Sequence, residues 1–381
     1  MRKFIVLLFL LLSVHQAWSQ SGDASRASMN ETHEVDAIKF AHADSLSLYY
    51  ESIGYYAEAL DQLNLIPTLE LQQLRRKANL YFKLEEMEKA KITLLNEILP
   101  RDTIFSDLNL LASIFFQELN LHKSTELRSL LACKYPYNSS NLILLSNLLE
   151  MQDSLPQMTK HLDEYLDKFP NSIPIRRQRA LNTFKLGLAY ESHQDFSIVY
   201  SLGDDNPNTL YHYGNLLIRC DSIAKAERVL EQAASVTKYE NPIILLDYAF
   251  ALNKLNKHSM VHETLNLVDT LLNYNKEYIY NNFSLNELRG TSYFSQKKYK
   301  LAAGAFQKAL KYRPNDELLI YHLILTEERL GRREALRKWI SRYLMALKEL
   351  PEDKWTPAIK ERFAKVGLKQ MKLKEEEFMN K

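Results

Sequence analysis

The chain has 381 residues and a formal net charge of +2, with 46% hydrophobic and 25% charged residues, 9 Gly, 11 Pro and 2 Cys. That hydrophobic share is typical of a soluble protein, and past the first residues no segment of 18 or more apolar residues offers a membrane span. β-Branched runs are few and short, which leaves almost no room for strand.

In chain order, residues 1–19 read as a secretory signal peptide. Arg2 and Lys3 form the basic start, Phe4 to Leu12 is an unbroken apolar core, and Ala17-Trp18-Ser19 supplies small residues for cleavage before Gln20. The apolar run is too short to span a bilayer comfortably. No cysteine lies near the cleavage position, which argues against a bacterial lipoprotein anchor. The expectation is an exported chain, periplasmic or extracellular after cleavage. Residues 20–39 form a flexible leader, polar and Ser/Ala-rich to about Asn30, with helix expected from near Glu34. Loss of Arg2 and Lys3 takes the charge to zero, and that zero is uneven. Residues 329–381 hold 15 Lys or Arg against 8 Asp or Glu, a net of +7, so residues 20–328 carry −7. A basic end on an acidic body steers partners electrostatically.

From there a beat sets in. Small residues recur at Ser47, Ala78, Ala112, Ser146, Ala180, Gly214, Ala249 and Gly290, mostly about 34 residues apart, the period of a helical hairpin. A second row follows twelve residues after each: Ala59, Ala90, Ser124, Met158, Ser192, Ala226, Val261 and Ala302. A third lies four further on: Leu63, Leu94, Leu162, Phe196, Leu230, Leu265 and Phe306, with Arg128 as the exception. The first row lets two helices cross closely, the second fits against the preceding helix, and the third fills the core. Turns are expected at Gly54, Asn120, Asp153, Gly187, Asp221, Asn256 and Gly331.

Gly290, Tyr293, Tyr299, Ala302, Phe306, Ala309 and Pro314 resemble a tetratricopeptide repeat, and so do Gly54-Tyr56-Ala59-Leu63 and Gly214-Ala226-Leu230-Ala233. Pro136 and Pro170 fall where that family often ends a helix. The resemblance implies an all-α, right-handed superhelical solenoid of about nine TPR-like hairpins over residues 40–346, one elongated array without a single central core. The step from Ala249 to Gly290 is long, so Asn273–Phe283 should be a bulging loop or a lengthened helix. Residues 347–381 are a C-terminal capping helix and charged tail. Thr356-Pro357 starts that helix, and Ile359, Phe363 and Val366 face the final repeat.

No phosphate loop, serine elbow or zinc-spaced cysteine pair is present, so no catalytic residue, cofactor or metal is expected. His258 and His262 stand four apart without a third ligand, and read as exposed polar residues. Cys133 and Cys220 lie about two and a half repeats apart, roughly 25 Å at about 10 Å per helical layer, whereas a disulfide needs Cα atoms within about 7 Å. Both read as helical core thiols. Asn-x-Ser/Thr triplets begin at Asn30, Asn138 and Asn282 and carry no argument.

In the resembled family, groove side chains fall three before, one after and five after the small residue. Here that gives Arg177, Leu181, Lys185; Tyr211, Asn215, Arg219; and Leu246, Phe250, Lys254. The expected ligand groove is Arg177, Lys185, Tyr211, Asn215, Arg219, Phe250 and Lys254. Lys185, Arg219 and Lys254 would align as a cationic row beside aromatic rings, suited to an acidic peptide. The chaperone-tail carboxylate clamp of some family members is not matched, because Leu181, His212, Ile243 and Asp247 stand at its positions and only Arg177 is compatible. The expected function is a non-enzymatic exported scaffold that holds protein or peptide segments, with envelope assembly or secretion as settings. The alternative is a glycan-binding or polysaccharide-handling accessory using Tyr211, Phe250 and Tyr213 as stacking rings, of which Tyr213 is expected to pack inward. Nucleic acid is not an expected partner, because the basic end carries no reading motif.

Overall fold

A computed structural model describes residues 27–274 and 281–379. These form nineteen α-helices, and no strand occurs among the described residues. The chain divides into two compact units between Ser154 and Leu155. The first holds α1 (Ala27–Ser52), α2 (Tyr56–Asn64), α3 (Leu71–Lys83), α4 (Met87–Ile92, continued by a π-turn over Thr93–Ile98), α5 (Phe105–Gln117), α6 (Leu121–Lys134) and α7 (Ser139–Met151). The second opens with a 3-10 turn, Leu155–Met158, and α8 (Thr159–Lys168). It continues with α9 (Ile173–Lys185), α10 (Ala189–Ser201), α11 (Pro207–Arg219), α12 (Ile223–Val236), α13 (Pro242–Lys254) and α14 (His258–Tyr274). It ends with α15 (Asn282–Ser295), α16 (Tyr299–Ala309), α17 (Glu317–Leu330), α18 (Arg333–Lys348) and α19 (Pro357–Met379).

Helices pair as successive hairpins: α1 with α2, α3 with α4, α5 with α6, then α9 with α10 through α17 with α18. The sequence reads as one array, whereas the division falls inside the fourth repeat, between α7 and α8. There Pro156 has no N–H to give a helical turn, and Met158 stands where the other repeats carry Ala, Ser or Val. The signal region lies outside the described residues. Helix α1 begins at Ala27, earlier than the Glu34 expected, so part of the leader is helical. Of the Asn273–Phe283 stretch, helix α14 runs through Tyr274, residues 275–280 lie outside the described residues, and Phe283 is buried in α15.

Local signals account for the helix ends. Asn206 accepts from the N–H groups of Asn208 and Thr209 at 3.1 and 3.2 Å, with Pro207 in the first turn of α11. Asn241 and Pro242 repeat this device at α13, and Thr356 receives the N–H of Ile359 at the start of α19. Six of the seven expected turn residues take left-handed backbone, including Gly54 at φ +84° and Asp221 at φ +56°. At the seventh, Leu119 takes that conformation and Asn120 caps α6.

All three sequence rows are buried. The close crossing is visible at two glycines. A Cβ on Gly214 would lie 2.5 Å from the Leu230 side chain, and one on Gly290 would lie 2.4 Å from the Phe306 ring. Where the second row carries serine, its hydroxyl donates to the first-row carbonyl: Ser124 to Ala112 at 2.8 Å and Ser192 to Ala180 at 3.0 Å. Arg128, the exception in the third row, is also buried. Its guanidinium reaches Asn109, Ser113 and Asn141. Burial alone lowers its pKa below the ordinary arginine value.

Three expectations change. Cys133 and Cys220 are exposed rather than core thiols, because Cys133 lies on the outer side of α6 and Cys220 is the residue that ends α11. His262 is half-buried, stacked on Tyr293 at 4.7 Å with the Gln296 amide 2.9 Å from its Nε2. Phe363 is exposed against the edge of Trp355, while Val366 and half-buried Ile359 carry the inner side of α19.

Candidate functional site: the first-helix face of the second unit

Within the second unit α9 packs against α11, α11 against α13 and α13 against α15, so the first helices of successive repeats stand side by side. A side chain repeated at one position of each helix therefore forms a row across them. Lys185, Arg219 and Lys254 are such a row: each is exposed and is the last residue of its helix. A cation there also faces the negative end of the helix dipole, which favours it without any ligand. Aromatic rings support two of the three. The Arg219 guanidinium lies 5.6 Å from the Phe184 ring centre, and the Lys254 ammonium 5.4 Å from that of Phe250.

Arg177 does not join that row. Its Nε donates to Asp204 at 3.1 Å and a terminal nitrogen takes the second oxygen, so it pins the segment before α11. The neighbouring arginines are also held: Arg176 by Asp195 at 2.7 Å, and Arg179 by Asp195 and Asp163 at 2.6 Å each. The hydrogen bond to Asp195 is the main cause that raises the Arg179 pKa. Leu181 and Leu246, read as groove residues, are instead buried in the core of this unit.

At the centre of the face stands a polar cluster. The Asn215 amide donates to Asp247 at 3.0 Å and to the Tyr211 carbonyl at 3.2 Å. Burial, opposed by the Asn215 amide and the neighbouring Tyr211 hydroxyl, pushes the Asp247 carboxyl above its ordinary value. Burial and the nearby Asp247 charge also raise the Tyr211 phenol. The next bridge runs from the Asn253 amide to Thr291 at 3.2 Å, between α13 and α15. The centre is thus hydrogen-bonding and acidic, and the cations stand along one edge.

The sequence reading brought together Lys185, Tyr211, Asn215, Arg219, Phe250 and Lys254 on this face, and it missed Phe184. That ring sits beside Lys185, out of phase with the repeat, and meets His212 at 5.2 Å between centres. Tyr213, a ring considered for sugar stacking, is buried against Phe196 at 5.6 Å. Among the described residues no three His, Cys, Asp or Glu side chains gather as a metal site. No helix among them is long and apolar enough to cross a membrane.

No protein-family model and no curated protein matches the chain. Solved structures do resemble it in fold. A tetratricopeptide repeat protein from Parabacteroides merdae aligns at 16% identity and TM-score 0.45, over 76% of this chain and 98% of that one. YrrB, a TPR protein with an unusual peptide-binding site, aligns at 13% identity and TM-score 0.45, over 51% and 96%. PilW, a type IV pilus biogenesis factor, aligns at 13% and TM-score 0.46, over 58% and 97%. The close crossings at Gly214 and Gly290 and the three buried rows show stacked helical hairpins. The fold is an all-α helical repeat.

These hairpins do not build the carboxylate clamp found in some chaperone-binding tetratricopeptide proteins. Arg177 is paired to Asp204, Leu181 is buried, and Asp247 presents a carboxylate where a cation would be needed.

Proposed function

We propose that the chain is a binding scaffold whose first-helix face in the second unit holds an extended peptide segment. One observation carries this reading: a solvent-accessible cluster of Tyr211, Asn215 and Asp247 flanked by Arg219 and Lys254 on adjoining helices. The cluster suits the N–H groups of an extended backbone, which can donate to the Asp247 carboxylate and to the Asn215 Oδ1, since both Asn215 amide hydrogens are already given to Asp247 and the Tyr211 carbonyl. The edge of Lys185, Arg219 and Lys254 suits carboxylates of the same segment, with the rings supplying contact area. The preferred ligand is therefore a peptide with acidic side chains on one edge only, since Asp247 disfavours negative charge at the centre. Export is part of the reading, supported by Arg2, Lys3, the Phe4–Leu12 run and the Ala17-Trp18-Ser19 site. A mature chain starting at Gln20 in the host is its test.

The test of binding is selection from a random peptide library, then titration against Arg219→Glu/Lys254→Glu and against Tyr211→Ala. The expected result is enrichment of acidic peptides, with affinity lost at least tenfold, about 1.4 kcal/mol, for each variant. Selected peptides that bind both variants as tightly as the parent chain would overturn the reading.

A further inference from the structure

The two ends of the described chain carry opposite charge and unpartnered apolar surface. Residues 27–70 contain eight Asp or Glu and a single Lys, a net of −7, whereas residues 329–381 carry +7. At the acidic end, Asp44 and Glu51 are engaged by Arg76 and Lys83. Glu58 and Asp61 are exposed, and helical spacing puts them with Ala57 and Leu65 on the side of α2 opposite its buried Ala59, Leu60 and Leu63. Leu65 is 54% exposed and, on α1, Tyr49 is 56% exposed, with Ile38 and Leu48 also open. At the basic end, α19 turns Val366 inward and is tied down by Arg362, which donates to both oxygens of Glu317 at 2.7 and 2.6 Å. Its outer side carries Leu368 and Met371, 59% and 60% exposed, among exposed Lys360 and Lys372 and a Lys365–Glu361 pair at 2.7 Å.

Terminal repeats have no neighbour on one side, and a polar cap is the usual solution. Here both terminal surfaces keep large apolar side chains, and each is bordered by a net charge that the other complements, Lys360 and Lys372 at the basic end and Glu58 and Asp61 at the acidic end. We propose that the basic outer side of α19 in one molecule docks on the acidic α1–α2 hairpin of a second copy. Such a head-to-tail interface is heterologous, so each molecule uses two different surfaces and association continues with concentration. Apolar contact supplies attraction, and the opposed charges set orientation and make the association sensitive to salt.

Sedimentation equilibrium of the full chain, over rising concentration at about 50 mM and about 500 mM salt, reads this out, since screening tightens several-fold between them. The expected result is an average mass that rises with concentration and falls with salt. Two charge-reversed variants decide the geometry: Lys360→Glu/Lys372→Glu at one end and Glu58→Lys/Asp61→Lys at the other, each checked for unchanged helicity. None of these four residues lies on the α9–α13 face, so peptide binding there is left unaltered and the two readings fail separately. Each variant alone is expected to stay monomeric at concentrations where the parent associates. Mixing the two is expected to restore association, because a reversed basic end meets a reversed acidic end. A parent chain that remains monomeric at low salt would overturn the proposal. So would variants that associate like the parent, or a mixture that stays monomeric.

Discussion

The stretch from α3 to α7 in the first unit carries buried charged contacts between repeats, and the stretch from α11 to α16 in the second carries close apolar crossings within its hairpins. In the first, Arg75 of α3 reaches Asp107 of α5 through two nitrogens at 3.0 to 3.2 Å, and Arg128 of α6 links to both α5 and α7. In the second, Leu230 lies on Gly214 within an apolar core that runs from α9 to α15, and Phe306 lies on Gly290 in a second apolar cluster that runs from α15 to α19. The lesson is that helix position can be held by directional hydrogen bonds or by close apolar fit. The first kind fails abruptly when one partner is removed, and the second fails in proportion to lost volume.

Four experiments break or sharpen that contrast, from the largest effect to the smallest. Asp107→Ala leaves the Arg75 guanidinium buried beside only the half-exposed Asp102, and should cost about 3–5 kcal/mol by urea unfolding. Leu230→Ala in the apolar stretch spans about 2–5 kcal/mol, according to how far its surroundings collapse. An Asp107→Ala cost below about 1 kcal/mol would remove the polar joint from the account.

Gly290→Ala forces a Cβ against the Phe306 ring and should cost about 1–3 kcal/mol. Gly304→Ala in α16 meets nothing within 4 Å and should instead stabilise by about 0.5–1 kcal/mol through helix propensity. Opposite shifts in thermal midpoint for the two glycines are the expected outcome. Arg128→Leu, which restores the residue type of the other repeats, should cost about 1–3 kcal/mol by removing the guanidinium from the Asn109 and Asn141 amide oxygens and the Ser113 hydroxyl. A neutral result there would show that the packing period alone suffices.

The smallest effect is on pH. Burial, the first cause for each, holds His262 and His322 below the ordinary histidine value of 6.5. The unfolded chain then binds protons that the folded chain refuses. Stability present above pH 6.5 is therefore lost as pH falls through that value. Unfolding at about pH 7.5 and about pH 5.5 should show lower stability in acid, and His322→Gln should flatten the difference. An identical slope in the variant would assign the loss to other groups.

The apolar joints were legible in the sequence because Gly214, Leu230, Gly290 and Phe306 keep the period. The polar joints were not, because Arg75 and Asp107 lie outside the three rows and their partnership depends on three-dimensional approach. The same physics divides the candidate site. Lys185, Arg219 and Lys254 were found from spacing, since the last residue of a helix is fixed by the repeat. Arg177 was read as a groove cation because nothing local announces that Asp204 returns to it. Leu181 and Leu246 share the groove phase but rotate into the core. Phe184, out of phase, was missed although it carries Arg219.

Hydrogen exchange of the full chain with and without a library-selected acidic peptide tests the central claim, that α9, α11 and α13 present the ligand face. The account predicts added protection concentrated in the last turns of those three helices and around Tyr211–Asn215. Protection confined to other helices, with α9, α11 and α13 unchanged, would contradict it.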